Sequence, residues 1–516
     1  MSLAGWRSRA GLCLMRPREH AGAAAAPCLR CLHDRLHEAG FAPRGPVEVA
    51  DDAGWQAAFA AAARDDPQVA GHPLATPVLR LDGAHLRRHR LVARPGCPVC
   101  GPQQRAALGR WRGPALPVEA LGDPLLGLFS CAECIVPLDG DPQALCHAAS
   151  VQVHTAGNRH AVSARGQGHD AARAALGQLG EALERYAAFR PEPWALRDGR
   201  ARSLPWPALQ GDALFGLDPA QQALVGHARL DGRRRLAWLP AQRLADGAAR
   251  AVPAAAVFLD RADWRPEPRV GPSVSHGLAA HRSAAAAQAH AADELVERTA
   301  MTRAWHTRDF GTRLPDEALD APAAALARRC RDAGLSLRLM ALPWPAQRPV
   351  VLALLWTPRA APWFLLGSGS ARRWADAADA ALLEAAAGWQ ALCRRPEPLP
   401  ARPRLRAAEG TAGHHRWHAG EPRAARVVQA FVDGSRPSGR LPPDGPDVGA
   451  CEALLALAPD SVAADLTPPD LAACGWSVQR VLAPGLPIYG HGRVGTPGRF
   501  LAAWGWPPAA LPHPYR

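Results

Sequence analysis

Three Cys-x-x-Cys pairs stand out in this chain of 516 residues, because thiolates at this spacing are typical zinc ligands. The pairs are Cys28/Cys31, Cys97/Cys100 and Cys131/Cys134. Zinc takes four sulfur ligands at about 2.3 Å in a tetrahedron, and each Cys-x-x-Cys turn supplies two of them. Pro98 and Gly101 favour a knuckle-like turn at the second pair. We therefore expect Cys28, Cys31, Cys97 and Cys100 to form one structural Zn²⁺ site.

The third pair lacks comparable turn residues, so Cys131 and Cys134 are equally well interpreted as ordinary half-buried thiols. A redox role is the weaker interpretation for any pair, because none lies between a clear strand and a helix start. Twelve cysteines in this length of chain are too few for a disulfide scaffold. The six cysteines outside the pairs are expected to be small buried residues.

A second group of residues with chemical potential is the pattern Glu-x-x-Glu-Arg, which occurs twice. Its members are Glu181, Glu184 and Arg185, and then Glu294, Glu297 and Arg298. These spacings place the three side chains on one helix face. One copy would be most simply an exposed face with ion pairs of about 0.2–0.5 kcal/mol each. Two copies favour a cation site, since adjacent carboxylates repel unless an ion such as Mg²⁺ lies between them.

Each copy follows a segment with glycines, which we interpret as a turn. Gly166 and Gly168 precede the first copy and Gly277 precedes the second, while a third acidic residue, Glu384, follows glycines at 367–370. Glycine lets backbone amides approach a phosphate closely. Three such units predict a nucleotide site built from carboxylates. A Walker loop is excluded, because the sequence contains no lysine.

Periodicity and Pro/Gly punctuation predict the elements that must position these residues. We expect helices at 28–40, 55–64, 170–189, 283–305, 322–334 and 374–393. Strands are expected within 78–92, at 350–355 and at 427–432, with a linker near 113–124. Up to about residue 101 the remaining pattern looks irregular. The predicted fold class is α+β: a mixed domain of sheets and amphipathic helices, preceded by a small zinc-binding segment.

Composition narrows the function classes. With 48% hydrophobic residues, a chain of this length can bury two or three domain cores. It has no apolar run of about 18 residues that would span a membrane and no ordered signal peptide, so a cytoplasmic protein is expected. The 60 Lys and Arg residues are all arginine, and with 47 acidic residues they give a net charge of +13. They are scattered, so an acidic peptide is a better candidate partner than nucleic acid.

In their order along the chain these motifs resemble those of the YcaO family, from about residue 120 to the end. Residues 165–168 with 177–185 are similar to its first ATP motif, 275–280 with 294–298 to its second, and 367–369 with 381–384 to its third. Residues 462–470, 478–480 and 484–487 resemble its late strand and turn, and 512–516 its Pro-rich tail. The resemblance implies a YcaO-type ATP-dependent catalytic domain over residues 120–516.

The two front cysteine pairs resemble the zinc-ligand pairs of the ThiF-like portion fused to YcaO enzymes of thiazole- and oxazole-modified peptide pathways. Residues 1–112 would then be a truncated ThiF-like segment. Because they are too few for a complete ThiF-like domain plus a winged-helix leader-binding domain, a separate leader-peptide-recognition protein is implied. The other implied partners are the precursor peptide, an azoline dehydrogenase and a second copy of the chain in a homodimer.

The chemistry that the resemblance implies is cyclodehydration. A Cys, Ser or Thr of the peptide attacks the preceding amide carbonyl, the oxyanion takes the γ-phosphoryl group of ATP, and phosphate leaves to give an azoline. The residues implied to hold ATP and Mg²⁺ are Gly166, Gly168, Glu181, Glu184, Glu294, Glu297 and Glu384. Arg185 and Arg298 would neutralise phosphate charge. Pro512 and Pro514 would order the active site or take part in proton transfer.

Several residues depart from the family's pattern. Gln167, His276 and Thr299 stand where Lys, Asn and Asp are frequent. Ala387 occupies the position where Gln is expected, although Gln390 lies one turn further on. These departures keep open a second class of function, in which a degenerate YcaO acts as a non-catalytic scaffold for a peptide or partner. Within the enzyme class, thioamide or amidine formation by the same phosphorylation chemistry is a further alternative.

Overall fold

The computed structural model describes most of the chain. The described residues are 2–9, 11–15, 26–41, 43–50, 52–137, 144–154, 162–209, 211–225, 234–259, 267, 270–271, 274–343, 348–358, 363–394, 424–437, 448–488 and 496–508. Helices and antiparallel sheets alternate through them, which confirms the α+β prediction. No helix in these ranges is long and apolar enough to cross a membrane.

The first hundred residues contain a five-stranded antiparallel sheet in the order β3-β1-β2-β4-β5. Its elements and the following helix are β1 (Ser2–Ser8), β2 (Gly11–Met15), α1 (Leu29–Glu38), β3 (Pro43–Ala50), α2 (Ala53–Asp65), α3 (Pro67–Gly71), β4 (Ala75–Asp82), β5 (His85–Val92) and α4 (Gly101–Arg110). The helices and strands predicted from the sequence in this region correspond to α1, α2, β4 and β5. The prediction missed β1, β2, β3, α3 and α4; the Gly, Arg and Pro residues of β1 and β3 have weak strand propensity. A 3-10 turn at Val118–Gly122 lies in the expected linker.

The rest of the chain contributes three more sheets. Its elements are β6 (Phe129–Ile135), β7 (His147–Val153), β8 (Val162–Gly168), α5 (Ala171–Ala188), β9 (Arg197–Gly199), α6 (Gly211–Phe215), α7 (Pro219–Val225), β10 (Leu236–Arg243), β11 (Ala249–Pro253), α8 (Ala254–Val257), β12 (Leu278–His281), α9 (Ala284–Thr307), β13 (Thr312–Arg313), α10 (Ala321–Asp332), β14 (Ser336–Ala341), β15 (Val350–Trp356), β16 (Phe364–Ser370), α11 (Trp374–Cys393), α12 (Ala424–Asp433), α13 (Ala450–Leu457), β17 (Val462–Asp465), α14 (Pro469–Ala473), β18 (Ser477–Leu482) and α15 (Gly498–Ala503). The strand orders are β6-β7-β8, β11-β10-β17-β18-β12 with β9 beside β10, and β13-β14-β15-β16.

One arrangement occurs three times: a strand is followed directly by a long helix. The three units are β8 with α5, β12 with α9, and β16 with α11. All three helices begin and end within about two residues of their predicted limits. Asp170 and Ser283 explain two of the starts, because their side chains accept the N–H groups of Arg173 and Ala286 as N-caps.

The predicted strand at 427–432 is wrong, because this segment lies within helix α12. The apolar residues Val428, Phe431 and Val432 recur at intervals of three and four, which is a helical period. Phe431 is fully buried and its ring lies 4.4 Å from that of Phe310. The run of β-branched residues was therefore misleading, and tertiary packing favours the helix.

The predicted domain division between residues 112 and 120 stays a prediction. The largest apolar core contains Ala75 and Val92 from the first sheet together with Leu183 and Tyr186 from α5. The two segments therefore share buried surface.

Candidate nucleotide site and cysteine centre

The acidic residues of the three units occupy equivalent positions. In each unit a glutamate of the helix accepts a backbone N–H at or beside the preceding strand, 16 or 17 residues earlier. The donor and acceptor pairs are Arg165 to Glu181 at 2.8 Å, Gly277 to Glu294 at 2.8 Å and Ser368 to Glu384 at 2.6 Å. Packing of each helix on its own strand thus fixes one carboxylate.

The second glutamate of each Glu-x-x-Glu-Arg pattern reaches the strand of the next unit. Glu184 accepts the N–H of Ala280 in β12 at 3.1 Å. Glu297 accepts the hydroxyl of Ser368 in β16 at 2.6 Å, and this hydroxyl also lies 3.2 Å from Glu384. Units one, two and three are therefore linked into one site, which brings all five predicted glutamates together.

The third unit has Ala387 where the others have their second glutamate. A hydrogen bond between Asp379 of α11 and His169, the residue after β8, links this unit to the first instead. Gln390 is fully buried and binds the backbone of Leu145 and Cys146. Its amide is therefore committed to packing α11 against the segment before β7.

Both predicted arginines lie in the site. Arg185 donates to Glu181 at 3.0 Å, and Nε of Arg298 lies 3.6 Å from Glu294. These are the pairs that an exposed helix face would also form. The side chains are however largely shielded, with Arg298 and Glu297 only 14% and 13% exposed. A fully solvated face is therefore the wrong description.

Burial changes the protonation of two glutamates. It raises the pKa of Glu184 to about 8, helped by the charges of Glu181 and Glu294 and opposed by Arg185. It raises the pKa of Glu297 to about 7, with Arg298 opposing and Glu384 reinforcing the shift. Carboxylates in this condition hold a proton near neutral pH unless a cation replaces it. Such perturbation is typical of functional sites.

Two of the three glycine segments lie in strands and not in the predicted turns. Gly166 and Gly168 lie inside strand β8, so the expected turn at this position is wrong, as is the one at 367–370, which belongs to β16. A Cβ on Gly166 would lie 2.0 Å from the carbonyl oxygen of Ala174 and 2.1 Å from the amide nitrogen of Gln178. Glycine here lets α5 lie directly against the strand. Contact of these glycines with a nucleotide stays a prediction.

Residues that sequence reasoning did not assign to the site also belong to it. Ser368 joins Glu297 to Glu384, and its position between two glycines of β16 was the available signal. Arg480 of β18 is buried within electrostatic reach of Glu294 and Arg185. Two residues that were assigned, Pro512 and Pro514, lie outside the described residues.

The four predicted cysteines meet at one point, where α1 and α4 begin. Their Sγ atoms all lie within 4.8 Å of one another, and no other group of three or more His, Cys, Asp or Glu converges in this way in the part of the chain described. Sγ distances of 3.6 Å (Cys28 to Cys97), 3.3 Å (Cys31 to Cys100) and 3.9 Å (Cys28 to Cys31) compare with about 3.8 Å in a zinc tetrahedron.

Backbone and side-chain donors face the sulfurs, as thiolate ligands require. The N–H of Arg94 lies 3.3 Å from Sγ of Cys31, and the amide of Gln104 lies 3.5 Å from Sγ of Cys100. The cluster therefore suits a thiophilic metal ion. Cys134 is an exposed free thiol in β6 and takes no part in it.

A buried network connects the cysteine centre with the nucleotide site. Arg35, one turn beyond Cys31 in α1, donates to Asp470 at 3.1 Å and to the hydroxyl of Tyr186 at 3.2 Å. Tyr186 donates to the same carboxylate at 2.6 Å and directly follows Arg185 in α5. Helix α1 therefore carries Cys31 and also contacts α5, the helix that carries Glu181 and Glu184.

Similar solved structures support the fold. The structure titled "Heterocyclase in complex with substrate and Cofactor" is 18% identical with a TM-score of 0.71, over 99% of this chain and 77% of that one. The heterocyclase TruD is 17% identical with a TM-score of 0.61, over 99% and 74%. YcaO from Methanopyrus kandleri, bound with AMPPCP and Mg²⁺, is 18% identical with a TM-score of 0.50, over 69% and 86%.

A search of curated proteins found no match. A comparison of the sequence with family models does identify the family. The model of the YcaO family, described as YcaO cyclodehydratase, ATP- and Mg²⁺-binding, matches residues 165–487, well over half of the 516 residues. This range contains all three acidic helices and the linked glutamates. The chain therefore belongs to the YcaO family.

Proposed function

We propose that the protein is an ATP-dependent cyclodehydratase, which forms azolines from Cys, Ser or Thr residues of a ribosomally made precursor peptide by phosphorylation of the backbone amide oxygen. The observation that carries this proposal is the linkage of five glutamates and two arginines across the three units. A non-catalytic scaffold has no need of buried acidic groups whose pKa is raised towards neutral pH.

The acidic cluster suits Mg²⁺, which prefers carboxylate oxygens and shares its coordination with nucleotide phosphates. Glu181, Glu184, Glu294, Glu297 and Glu384 would hold Mg²⁺ and ATP, with the backbone at Gly166 and Gly168 beside them. When bound, Mg·ATP supplies the phosphoryl group. Glu184 and Glu297 would give up their protons to hold the cation, and Arg185 and Arg298 would orient the phosphates and balance their charge.

The cysteine centre has a structural role in this proposal. Zn²⁺ bound by Cys28, Cys31, Cys97 and Cys100 would fix the starts of α1 and α4. Residues 1–112 would form the truncated ThiF-like segment and 120–516 the catalytic domain. Pro512 and Pro514 would order the active site from the tail. The chain would work in the cytoplasm with its precursor peptide, a leader-recognition protein and an azoline dehydrogenase, as a homodimer.

Phosphate release from Mg·ATP, combined with mass spectrometry of the peptide, tests the proposal. The purified protein is assayed with and without its precursor peptide and leader-recognition partner. We expect peptide-stimulated release and loss of one water mass for each ring. The double variant Glu184→Ala, Glu297→Ala should lose both, whereas Glu452→Ala, on the exposed side of α13, should keep them. Peptide binding without any phosphate release would support the scaffold alternative, and release with a different mass change would support thioamide or amidine formation.

A further inference from the structure

The buried arginines differ in how their charge is balanced. Four are buried in the described part of the chain: Arg35, Arg190, Arg348 and Arg480. Arg35 lies 3.1 Å from Asp470, Arg190 lies 3.0 Å from Glu38, and Arg348 lies 2.6 Å from Asp293. Among the described residues Arg480 makes no ion pair, and its Nε and Nη1 have no hydrogen-bond partner. One buried guanidinium is thus left without a counter-ion.

Strand β18 places this side chain beside the acidic cluster. Arg480 pairs with Leu278 of β12 on one side and with Ala464 of β17 on the other. Leu278 directly follows Gly277, whose N–H holds Glu294. The Nη2 of Arg480 donates to the carbonyl oxygen of Val274 at 2.7 Å, which fixes the guanidinium at this edge of the site.

The charge on Arg480 is present at neutral pH. Burial lowers the pKa of Arg480 to about 10, and the charge of Glu294 opposes this shift. Glu294 does not neutralise it by contact, since its oxygens face the N–H of Gly277 and the guanidinium of Arg298. A buried charge without a partner is costly, and an anion that enters the site would remove this cost.

We propose that Arg480 is a further nucleotide-binding residue, which donates hydrogen bonds from Nε and Nη1 to phosphate oxygens of Mg·ATP. Nη1 lies on the Cδ side of the planar guanidinium and the Nε–H points away from it, so the two groups would reach separate phosphate oxygens. Arg185 and Arg298 share their charge with glutamates, whereas Arg480 makes no such ion pair among the described residues. This inference rests on the proposed nucleotide site.

Isothermal titration calorimetry with Mg·ATP and with adenosine tests the assignment, using wild type, Arg480→Gln and Arg480→Lys. We expect Arg480→Gln to weaken Mg·ATP binding about 10- to 100-fold, the range of a lost charge-assisted contact. Adenosine affinity should stay unchanged, because adenosine has no phosphate. Arg480→Lys keeps the charge but has a single donor nitrogen in place of Nε and Nη1, so it should recover part of the affinity.

Arg282→Gln is the matched control, because Arg282 follows the neighbouring strand β12 but its guanidinium binds elsewhere. Its guanidinium stacks 4.4 Å from the ring of Trp476 and donates to Cys474. This variant should bind Mg·ATP like wild type. Thermal unfolding of each variant shows whether the fold is kept, and if Arg480→Gln unfolds, Arg480→Lys decides the matter with an expected loss of about threefold or more.

Two results would overturn the role of Arg480 while leaving the nucleotide site intact. One is wild-type affinity for Mg·ATP in folded Arg480→Gln, or in Arg480→Lys where only that variant folds. The other is an equal loss of affinity for Mg·ATP and adenosine, which would mean that the side chain only supports the sheet. Failure of the wild-type protein to bind Mg·ATP would instead overturn the proposed function together with this assignment.

Discussion

The cysteine centre and the glutamate site differ in how complete they are without a ligand. The four Sγ atoms already lie within 4.8 Å of one another, with donors directed at two of them. The glutamate oxygens instead face backbone N–H groups, a hydroxyl and arginines, and do not converge on a single point. A closed thiolate cage suits an ion that stays, whereas an incomplete carboxylate site suits a ligand that enters and leaves.

Removal of a cysteine ligand should give the largest effect, because a metal site closed by the protein contributes its binding energy to folding. Structural zinc contributes about 10 kcal/mol or more in small zinc domains. Cys31→Ser should therefore lose the bound metal and unfold the first sheet, while Cys134→Ser, at an exposed thiol, should behave like wild type. Metal analysis and circular dichroism measure the two effects. A metal-free wild-type protein, or a Cys31→Ser variant, as stable as the metal-bound wild type would refute the structural role.

Loss of a bridging glutamate should leave the fold intact but remove turnover. In Glu297→Gln we expect phosphate release to fall about 100- to 1000-fold, the cost of losing one preorganised charged group, about 3–4 kcal/mol. The amide still accepts the hydroxyl of Ser368, so the unfolding temperature should change little. Glu452→Gln is the control on an exposed helix face. Equal activity of both variants would contradict the site assignment.

The contact of α5 with β8 should tolerate no side chain. Gly166→Ala places a Cβ about 2 Å from helix backbone atoms, so we expect a loss of about 1–3 kcal/mol in unfolding free energy from overpacking. Gly180→Ala, in the same helix with open space around it, should stabilise the protein by up to about 1 kcal/mol. Denaturant unfolding compares the two. A Gly166→Ala protein as stable as wild type would mean that the strand and helix are less closely packed.

The smallest predicted effect is a dependence of Mg·ATP affinity on pH. In the folded protein without metal, burial raises the pKa of Glu184 to about 8 and of Glu297 to about 7. Because the cation displaces these protons, affinity should rise between pH 6 and 8, by about tenfold per pH unit for each proton released. The metal-free protein should conversely lose stability as the pH rises through this range. Glu184→Gln should flatten the profile, and an unchanged slope would contradict the proton release.

Local sequence pattern predicted the helices that carry the acidic residues, but not the contacts around these residues. Long helices such as α5, α9 and α11 follow from local periodicity, so the Glu-x-x-Glu-Arg faces were correctly placed. The links between units involve the backbone of Ala280 and the hydroxyl of Ser368. Neither residue carries a distinctive chemical signature, so only the tertiary packing reveals the links.

Strands without a clear pattern account for the other errors. Strands β1 and β3 pair with each other and contain residues that rarely favour strands, so their partners in the sheet define them. The glycines of β8 were interpreted as a turn because glycine is common in turns, whereas here it permits a close contact with α5. Arg480 lies in the segment that resembles the family's late strand, but its charge was no signal in a sequence without lysine.

The linked glutamates are proposed to form a nucleotide site. Calorimetric titration with Mg·ATP tests this most directly, when the wild-type protein is compared with the double variant Glu184→Gln, Glu297→Gln. The account predicts binding that requires Mg²⁺ in the wild-type protein and at least about a hundredfold weaker binding in the folded double variant. Equal affinity in both proteins, or no binding in either, would contradict it.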